Sequence, residues 1–190
     1  MGEHVGMTEI SDRYRKLAAD FTAEVAAVPD DQWAAPSPCE GWTARDVVGH
    51  VVGAQMMFLG FVDQGFTPTA DVGDDPLAAW IEARDAMQAA LDDPAVAQAE
   101  YDSPFGRSVF EESANRFVNN DLVVHRWDLG RAVGNDVDID PHEAEVALTA
   151  YEGLGDNVRN PRVFAAEVEV DDDASAQDRL IAFTGRDPQR

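Results

Sequence analysis

The chain has 190 residues, of which 45% are hydrophobic and 27% charged, and this fits one domain able to bury a core. Acidic residues number 37 against 14 lysines and arginines, so the formal net charge is -23. A surface this acidic repels phosphate backbones and anionic lipids, and we expect no nucleic-acid or membrane partner. A single cysteine, Cys39, excludes an internal disulfide, and an N-terminus without a basic start and apolar run predicts a cytoplasmic protein.

The first two predicted helices are marked by apolar spacing and by a cap. Apolar residues between Ile10 and Val28 recur at steps of three and four, which predicts an amphipathic helix that Pro29 ends. Thr43 and Asp46 form a T-x-x-D pair, whose side chains can satisfy the free amides at a helix start. A second helix is therefore predicted from there to about residue 63.

Three more helices and a short closing helix follow along the chain. The third has its apolar face over 77–91, the fourth and longest covers 108–133, the fifth reaches about residue 155, and the closing helix comprises AQDRLIAF over 176–183. The segment before the closing helix, VFAAEVEVDDD, reads as partly extended. Each of these helices carries a start or stop signal: Asp75 with Pro76, Gly134, Asp140 with Pro141, and Ser175 with Asp178.

Amphipathic helices with one apolar stripe each pack into a bundle, and no segment of convincing length alternates as a strand. No internal repeat or long linker divides the chain. We therefore predict an all-α fold and a single domain over residues 1–190, with its core over about 8–160 and a C-terminal tail over 161–190.

Three polar side chains interrupt the apolar stripes of these helices. His50 lies on the inward stripe of the second helix, while Asp121 and His125 are four residues apart on the inward stripe of the fourth. An inward carboxylate is costly unless a cation, a strong donor or water compensates it. Two imidazoles and a carboxylate suit a divalent zinc ion and leave one coordination position for water or substrate.

Each of these elements also has an ordinary structural explanation. A single histidine on an apolar face is more often a hydrogen-bonded core residue than a ligand, and an Asp–His pair at this spacing is a common helix pair. Their coincidence on inward stripes of two different helices favours a metal site formed by His50, Asp121 and His125.

Asp128 and Cys39 are left with alternatives. Asp128 lies one turn beyond His125, where it either orients the imidazole through its free ring nitrogen or pairs with Arg126 or Arg131 at the surface. Cys39 precedes a helix start, where a thiol can be reactive, but a packed and inert thiol is the preferred interpretation. The tryptophans are interpreted as core residues rather than as a stacking platform: Trp33, Trp42, Trp80 and Trp127.

Three stretches, SPCEGWTARDVVGHVVG (37–53), DLVVHRWDLGRAVG (121–134) and DDDASAQDRLIAFTGRDP (171–188), resemble the actinobacterial-type DinB-like proteins related to mycothiol-dependent maleylpyruvate isomerase. The resemblance spans nearly the whole chain. It implies an up-down four-helix bundle with short C-terminal elements that binds zinc or nickel. By motif position the ligands are His50, Asp121 and His125. Family members commonly carry Glu or His where this chain has Asp121, which is one methylene shorter than Glu.

The same resemblance implies a low-molecular-weight thiol such as mycothiol or bacillithiol at the metal. The predicted function is a thiol-dependent transferase or isomerase of an electrophilic small molecule, in which Asp128 or a water handles the proton as the catalytic group. The maleylpyruvate reaction itself is not expected, because the chain ends before the isomerase's additional C-terminal domain. A carboxylate substrate would be received by one of four arginines: Arg107, Arg116, Arg126 or Arg131.

Two other functions stay open on the sequence. One is a metal-dependent hydrolase that uses metal-activated water. The other is a non-catalytic metal-binding or stress-associated bundle that acts through dimerisation. A third possibility is a metal-free member of the family in which Asp121 is kept for packing. We also predict a homodimer, since bundles of this kind often pair.

Overall fold

The computed structural model describes residues 8–103, 106–159 and 163–189, and within these ranges the chain is predominantly helical. The all-α fold predicted from the sequence is confirmed. The helices and strands are α1 Glu9–Ala27, α2 Ala44–Gly60, α3 Pro76–Asp92, α4 Pro94–Ala97, β1 Glu100–Ser103, β2 Gly106–Val109, α5 Phe110–Ser113, a π-helical segment Ala114–Asn119, α6 Asn120–Ala132, α7 Pro141–Glu152, a 3-10 turn Gly155–Val158, and α8 Ala176–Phe183.

The predicted helix caps are confirmed. At the start of α2 the backbone N–H of Thr43 donates to the Asp46 carboxylate at 2.8 Å, and the Thr43 hydroxyl accepts from the Asp46 N–H, so two amides are satisfied reciprocally. Gly134 has the positive φ of a left-handed helix end. Side-chain caps also begin α3, α7 and α8, at Asp75, Asp140 and Ser175.

Four helical rods form the bundle: α1, α2, α3, and the continuous rod from α5 through the π-helical segment to α6. Helix α1 packs against α3 and α6, and α2 packs against the same two, so α1 and α2 lie at opposite corners. The long connection between them, residues 28–43, therefore crosses one end of the bundle. The rods enclose one apolar core, whose largest side chains include Tyr14, Phe21, Trp80, Phe110 and Trp127.

The fourth predicted helix differs from the structure in two ways. It begins at Phe110 instead of residue 108, because residues 106–109 form β2, which pairs antiparallel with β1. Its middle is π-helical, and a π-turn contains more residues than an α-turn. The extra residue changes which positions of the helix face the core. The buried face therefore runs from Ala114 through Val118 to Leu122, while Phe117 and Asp121 are only partly buried.

The C-terminal part of the chain packs onto this bundle. Helix α7 contacts α6, and α8 contacts α7, with Leu180 and Ile181 fully buried. After α8 the chain turns at Gly185 and brings Arg186 to the end of the bundle where the α1–α2 connection crosses. No helix among the described residues combines the length and apolarity needed to cross a membrane.

Candidate metal centre

A large cavity opens at one end of the bundle. Its volume is about 1540 Å³, and its walls come from α2, the β1–β2 hairpin, the π-helical segment, α7 and the C-terminal tail. Much of the wall is aromatic, including Phe58, Phe61, Tyr101, Phe117 and Tyr151. The polar floor of the cavity is formed by the residues that the sequence predicts as ligands.

His50, Asp121 and His125 meet on this floor. One oxygen of Asp121, Oδ2, lies 3.0 Å from Nε2 of His50, and the other, Oδ1, lies 3.2 Å from Nε2 of His125. The two imidazole centroids are 4.6 Å apart. Helix α2 supplies His50 and α6 supplies the i, i+4 pair, so the packing of α2 against α6 brings the three together.

The three side chains differ in exposure, and the expectation that all three lie in the dry core is wrong for two of them. The side chain of His125 is 7% exposed, whereas Asp121 is 28% and His50 is 38% exposed. The π-helical segment accounts for the difference at Asp121, because it turns this residue away from the apolar face of the rod. A ligand in the cavity can therefore reach the cluster.

Trp42 lies against both histidines. Its ring centroid is 4.9 Å from that of His50 and 5.9 Å from that of His125, and it stacks on His125 with an interplanar angle of 23°. The interpretation of the tryptophans as core residues holds for Trp80 and Trp127, which are buried, but Trp42 lines the cavity. Its indole fixes the two imidazole planes from the side of the α1–α2 connection.

Asp128 lies behind His125 and does not line the cavity. Its side chain is fully buried, and its Oδ2 accepts from Nδ1 of His125 at 2.8 Å. The predicted alternatives for its cation, Arg126 and Arg131, are wrong. Arg186 from the C-terminal tail pairs with Asp128 instead, with Nε at 2.7 Å from Oδ1 and Nη2 at 2.8 Å from Oδ2.

Cys39 completes this second cluster. Its Sγ lies 3.3 Å from Oδ2 of Asp128 and 2.9 Å from Nη2 of Arg186. Cys39, His125 and Asp128 thus also place ligand-type atoms close together. In this cluster, however, a guanidinium already supplies the positive charge that the buried carboxylate requires.

The charges of the two clusters shift the pKa of the central histidine and of both carboxyls. Burial lowers the pKa of His125, but the charge of Asp121 and hydrogen bonds to Asp121, Asp128 and Cys39 raise it well above its usual range. Burial raises the pKa of Asp121, but His125 and His50 lower it by more. Burial likewise raises the pKa of Asp128, and Arg186 with His125 lowers it below its usual range. Both carboxylates therefore favour the charged form of the imidazole ring between them.

Of the four arginines predicted near the site, two line the cavity. Arg107 forms an ion pair with Glu100, whose Oε2 lies 2.5 Å from its Nη2. Arg116 rests over the ring of Phe117 and has no carboxylate partner within the described part of the chain. Arg126 and Arg131 lie away from the cavity.

Two residues that contact this cluster were missed in the sequence. Arg186 is separated from Asp128 by 58 positions, so no local spacing connects them. Trp42 has a weak signal, since it stands directly before the Thr43 cap of the helix that carries His50.

The match to known proteins agrees with this geometry. The family described as "Mycothiol maleylpyruvate isomerase N-terminal domain" matches residues 14–130, which contain all three predicted ligands. The chain belongs to this family. Arg186 lies outside the matched range.

Relatives of the chain extend the similarity beyond the family match. An uncharacterized protein of Mycobacterium tuberculosis, from strain CDC 1551 / Oshkosh and likewise from strain ATCC 25618 / H37Rv, is 32% identical over 171 residues. The alignment covers 87% of this chain and 91% of the relative. No solved structure matches the chain.

Proposed function

We propose that this chain binds a divalent metal ion, most readily zinc and alternatively nickel, through His50, Asp121 and His125. The ligand atoms of these residues all lie within 4.8 Å of one another, as donors to a shared ion must. Two imidazole nitrogens and a carboxylate oxygen are a donor set that zinc accepts with one coordination position left for an exogenous ligand. This convergence at a cavity floor is the observation that carries the proposal.

The charge of the cluster supports the same choice of ligands. No lysine or arginine among the described residues pairs with Asp121, and the groups that contact its carboxylate are the rings of His50 and His125. These contacts lower the pKa of Asp121 against the effect of burial. A metal ion would replace the proton on Nε2 of His125 and satisfy the same carboxylate. The guanidinium of Arg186 already compensates the charge of Asp128, and this disfavours a metal ion in the cluster that contains Cys39.

We infer further that the metal works with a low-molecular-weight thiol of the mycothiol type named in the family's description. A zinc ion held by His50, Asp121 and His125 would supply one piece of chemistry, since it would lower the pKa of a thiol that binds to it. The cavity, at about 1540 Å³, exceeds the roughly 300–1,000 Å³ of ordinary small-molecule sites. That volume leaves room for a thiol and a second small molecule.

The residues around the metal position suit a transferase or isomerase of an electrophilic substrate. Trp42 and Phe58 offer apolar surface to the substrate body, and Arg116 offers a guanidinium to a carboxylate. Asp128 acts through His125 because it does not face the cavity, and a water in the cavity is then the group that handles the proton.

Elemental analysis of protein purified without an affinity tag tests the metal. We expect about one equivalent of a divalent metal per chain, lost in the His50→Ala variant. Cys39→Ala is the matched control, because it removes a ligand-type atom of the second cluster and should leave the metal content unchanged. Protein without stoichiometric metal, even after incubation with zinc or nickel, would refute the proposal.

A thermal-shift screen with low-molecular-weight thiols then separates catalysis from binding. A thiol that coordinates the metal should stabilise the wild-type protein and not the His50→Ala variant. Stabilisation by none of the thiols, together with no turnover of electrophiles, would leave a non-catalytic metal-binding bundle. Hydrolysis without added thiol would instead favour the hydrolase.

A further inference from the structure

We propose that Arg186 is a positioning residue of the metal centre, which fixes the Asp128 side chain behind His125 and so keeps Nε2 of His125 directed at the metal. This inference rests on the proposed metal site. It assigns a role in that site to the C-terminal tail, which lies outside the family match of residues 14–130.

The contact between Arg186 and Asp128 is a forked ion pair shielded from solvent. Nε donates to Oδ1 at 2.7 Å and Nη2 donates to Oδ2 at 2.8 Å. The side chains are 9% and 0% exposed. Two parallel hydrogen bonds fix the carboxylate plane as well as its charge, which a single contact does not.

Asp128 transmits this constraint to His125. Its Oδ2 lies 2.8 Å from Nδ1 of the ring, so Nδ1 carries the proton and donates it. A neutral imidazole that donates from Nδ1 has its lone pair on Nε2, which is the atom that faces Asp121 and the proposed metal. Carboxylate partners of this kind orient metal-binding histidines and increase their basicity.

The backbone of the C-terminal tail positions the Arg186 guanidinium beside Asp128. Gly185 has φ of +84°, a conformation that favours glycine, and a Cβ there would lie 2.7 Å from the Cβ of Ala165. The Arg186 N–H donates to the carbonyl of Ile181 at 3.2 Å, which ties the turn to the end of α8. Buried Leu180 and Ile181 anchor α8 itself.

The same guanidinium keeps the second cluster from competing for metal. Nη2 of Arg186 lies 2.9 Å from Sγ of Cys39, one of the three residues, with His125 and Asp128, that could share an ion in this cluster. Removing Arg186 therefore has two expected consequences: weaker binding at the His50 cluster and access of metal to sulfur.

The test measures the affinity of the full-length protein for Co²⁺ and for Zn²⁺ by competition with a chelator. No thiol is added. Arg186→Met should bind about 10- to 100-fold more weakly than wild type, the loss typical of an outer partner of a metal ligand. Arg186→Lys should recover part of the loss, since it restores charge without the fork. Arg179→Met is the matched control, because Arg179 lies on the exposed face of α8 and pairs there with Glu145 of α7. The metal affinity of this variant should stay within about twofold of wild type.

Two further measurements distinguish a loss of metal affinity caused by the missing Arg186 contact from one caused by misfolding. The double variant Arg186→Met with Asp128→Asn leaves no uncompensated buried charge, so it should fold and still bind more weakly than wild type. In the Co²⁺ protein, absorption bands with sulfur-to-metal charge-transfer character should appear in Arg186→Met and be absent from wild type and from Arg179→Met.

The outcomes separate the two proposals. If wild type binds metal and both Arg186→Met and the double variant bind it as tightly, with unchanged spectra, the positioning role is overturned and the metal site stands. If wild type binds no metal, the proposed function is refuted and the role of Arg186 falls with it. Weaker binding in the variants with full retention in Arg179→Met supports the role.

Discussion

The two sides of the His125 ring face carboxylates that the protein treats differently. On the Nδ1 side, Asp128 is fully buried and Arg186 neutralises it with two hydrogen bonds. On the Nε2 side, Asp121 is 28% exposed at a cavity floor, and within the described part of the chain its ion-pair partners are the two histidines. A buried anion needs a cation, and the protein supplies its own at Asp128. This difference supports the proposal that a bound metal ion compensates Asp121.

The largest expected effect concerns the Nδ1 side of His125, where Asp128 is buried. Asp128→Ala should destabilise the metal-free protein by about 3–5 kcal/mol, because it leaves the Arg186 guanidinium buried without its partner. Asp121→Ala should cost about 1 kcal/mol or less, since that carboxylate is partly solvated and His125 can lose its proton. Urea denaturation in the presence of a chelator measures both. Equal losses for the two variants would remove the distinction between the sides.

The next effect concerns the choice of ligands. His50→Ala should weaken zinc binding by more than about 100-fold, beyond the loss expected for an outer partner, because one of three protein ligands is gone. Cys39→Ala should bind zinc as wild type does. Titration calorimetry with a competing chelator resolves both affinities. A large loss in Cys39→Ala with retention in His50→Ala would reverse the assignment of the two sides.

A smaller effect is the pH dependence of zinc binding. Asp121 raises the pKa of His125, so below that raised pKa the ring is charged and zinc must displace its proton. Apparent zinc affinity should therefore rise with pH by about tenfold per unit for each proton displaced. Calorimetry in buffers of different ionisation enthalpy measures the released proton directly. Binding near pH 6 without proton release would contradict the placement of the ion at Nε2.

The smallest effect is spectroscopic. Trp42 stacks on His125, so exchange of a proton for zinc on that ring should change the indole emission. The change should disappear in Trp42→Phe and persist in Trp33→Phe, because the Trp33 indole lies near Arg45 and not against the histidines. Fluorescence titration with zinc compares the two variants. An undiminished change in Trp42→Phe would place the ion elsewhere.

Local signals explain what the sequence could predict. The caps at Thr43, Asp140 and Ser175 depend on neighbouring residues, so short motifs identify them. The i, i+4 spacing of Asp121 and His125 is equally local, and the stripe of α2 adds His50. These features were enough to predict an all-α bundle and to bring the three side chains together.

Features that depend on distant contacts or on a small rotation were not predictable. The Arg186–Cys39 contact joins residues 147 positions apart, and although Arg186 lies within the stretch 171–188 that carries the family resemblance, no local spacing connects it to Cys39 or Asp128. The π-helical segment has no compositional signature, yet it turns Asp121 from the core toward the cavity. The β1–β2 hairpin was missed because strands of four residues give too short an alternation to separate from a helix start.

X-ray absorption spectroscopy at the zinc edge, on zinc-loaded protein without added thiol, tests the central claim most directly. Ligation by His50, Asp121 and His125 predicts nitrogen and oxygen scatterers at about 2.0–2.2 Å, with the outer-shell pattern of imidazole and no sulfur. A sulfur scatterer at about 2.3 Å would place the ion at Cys39 and contradict the account.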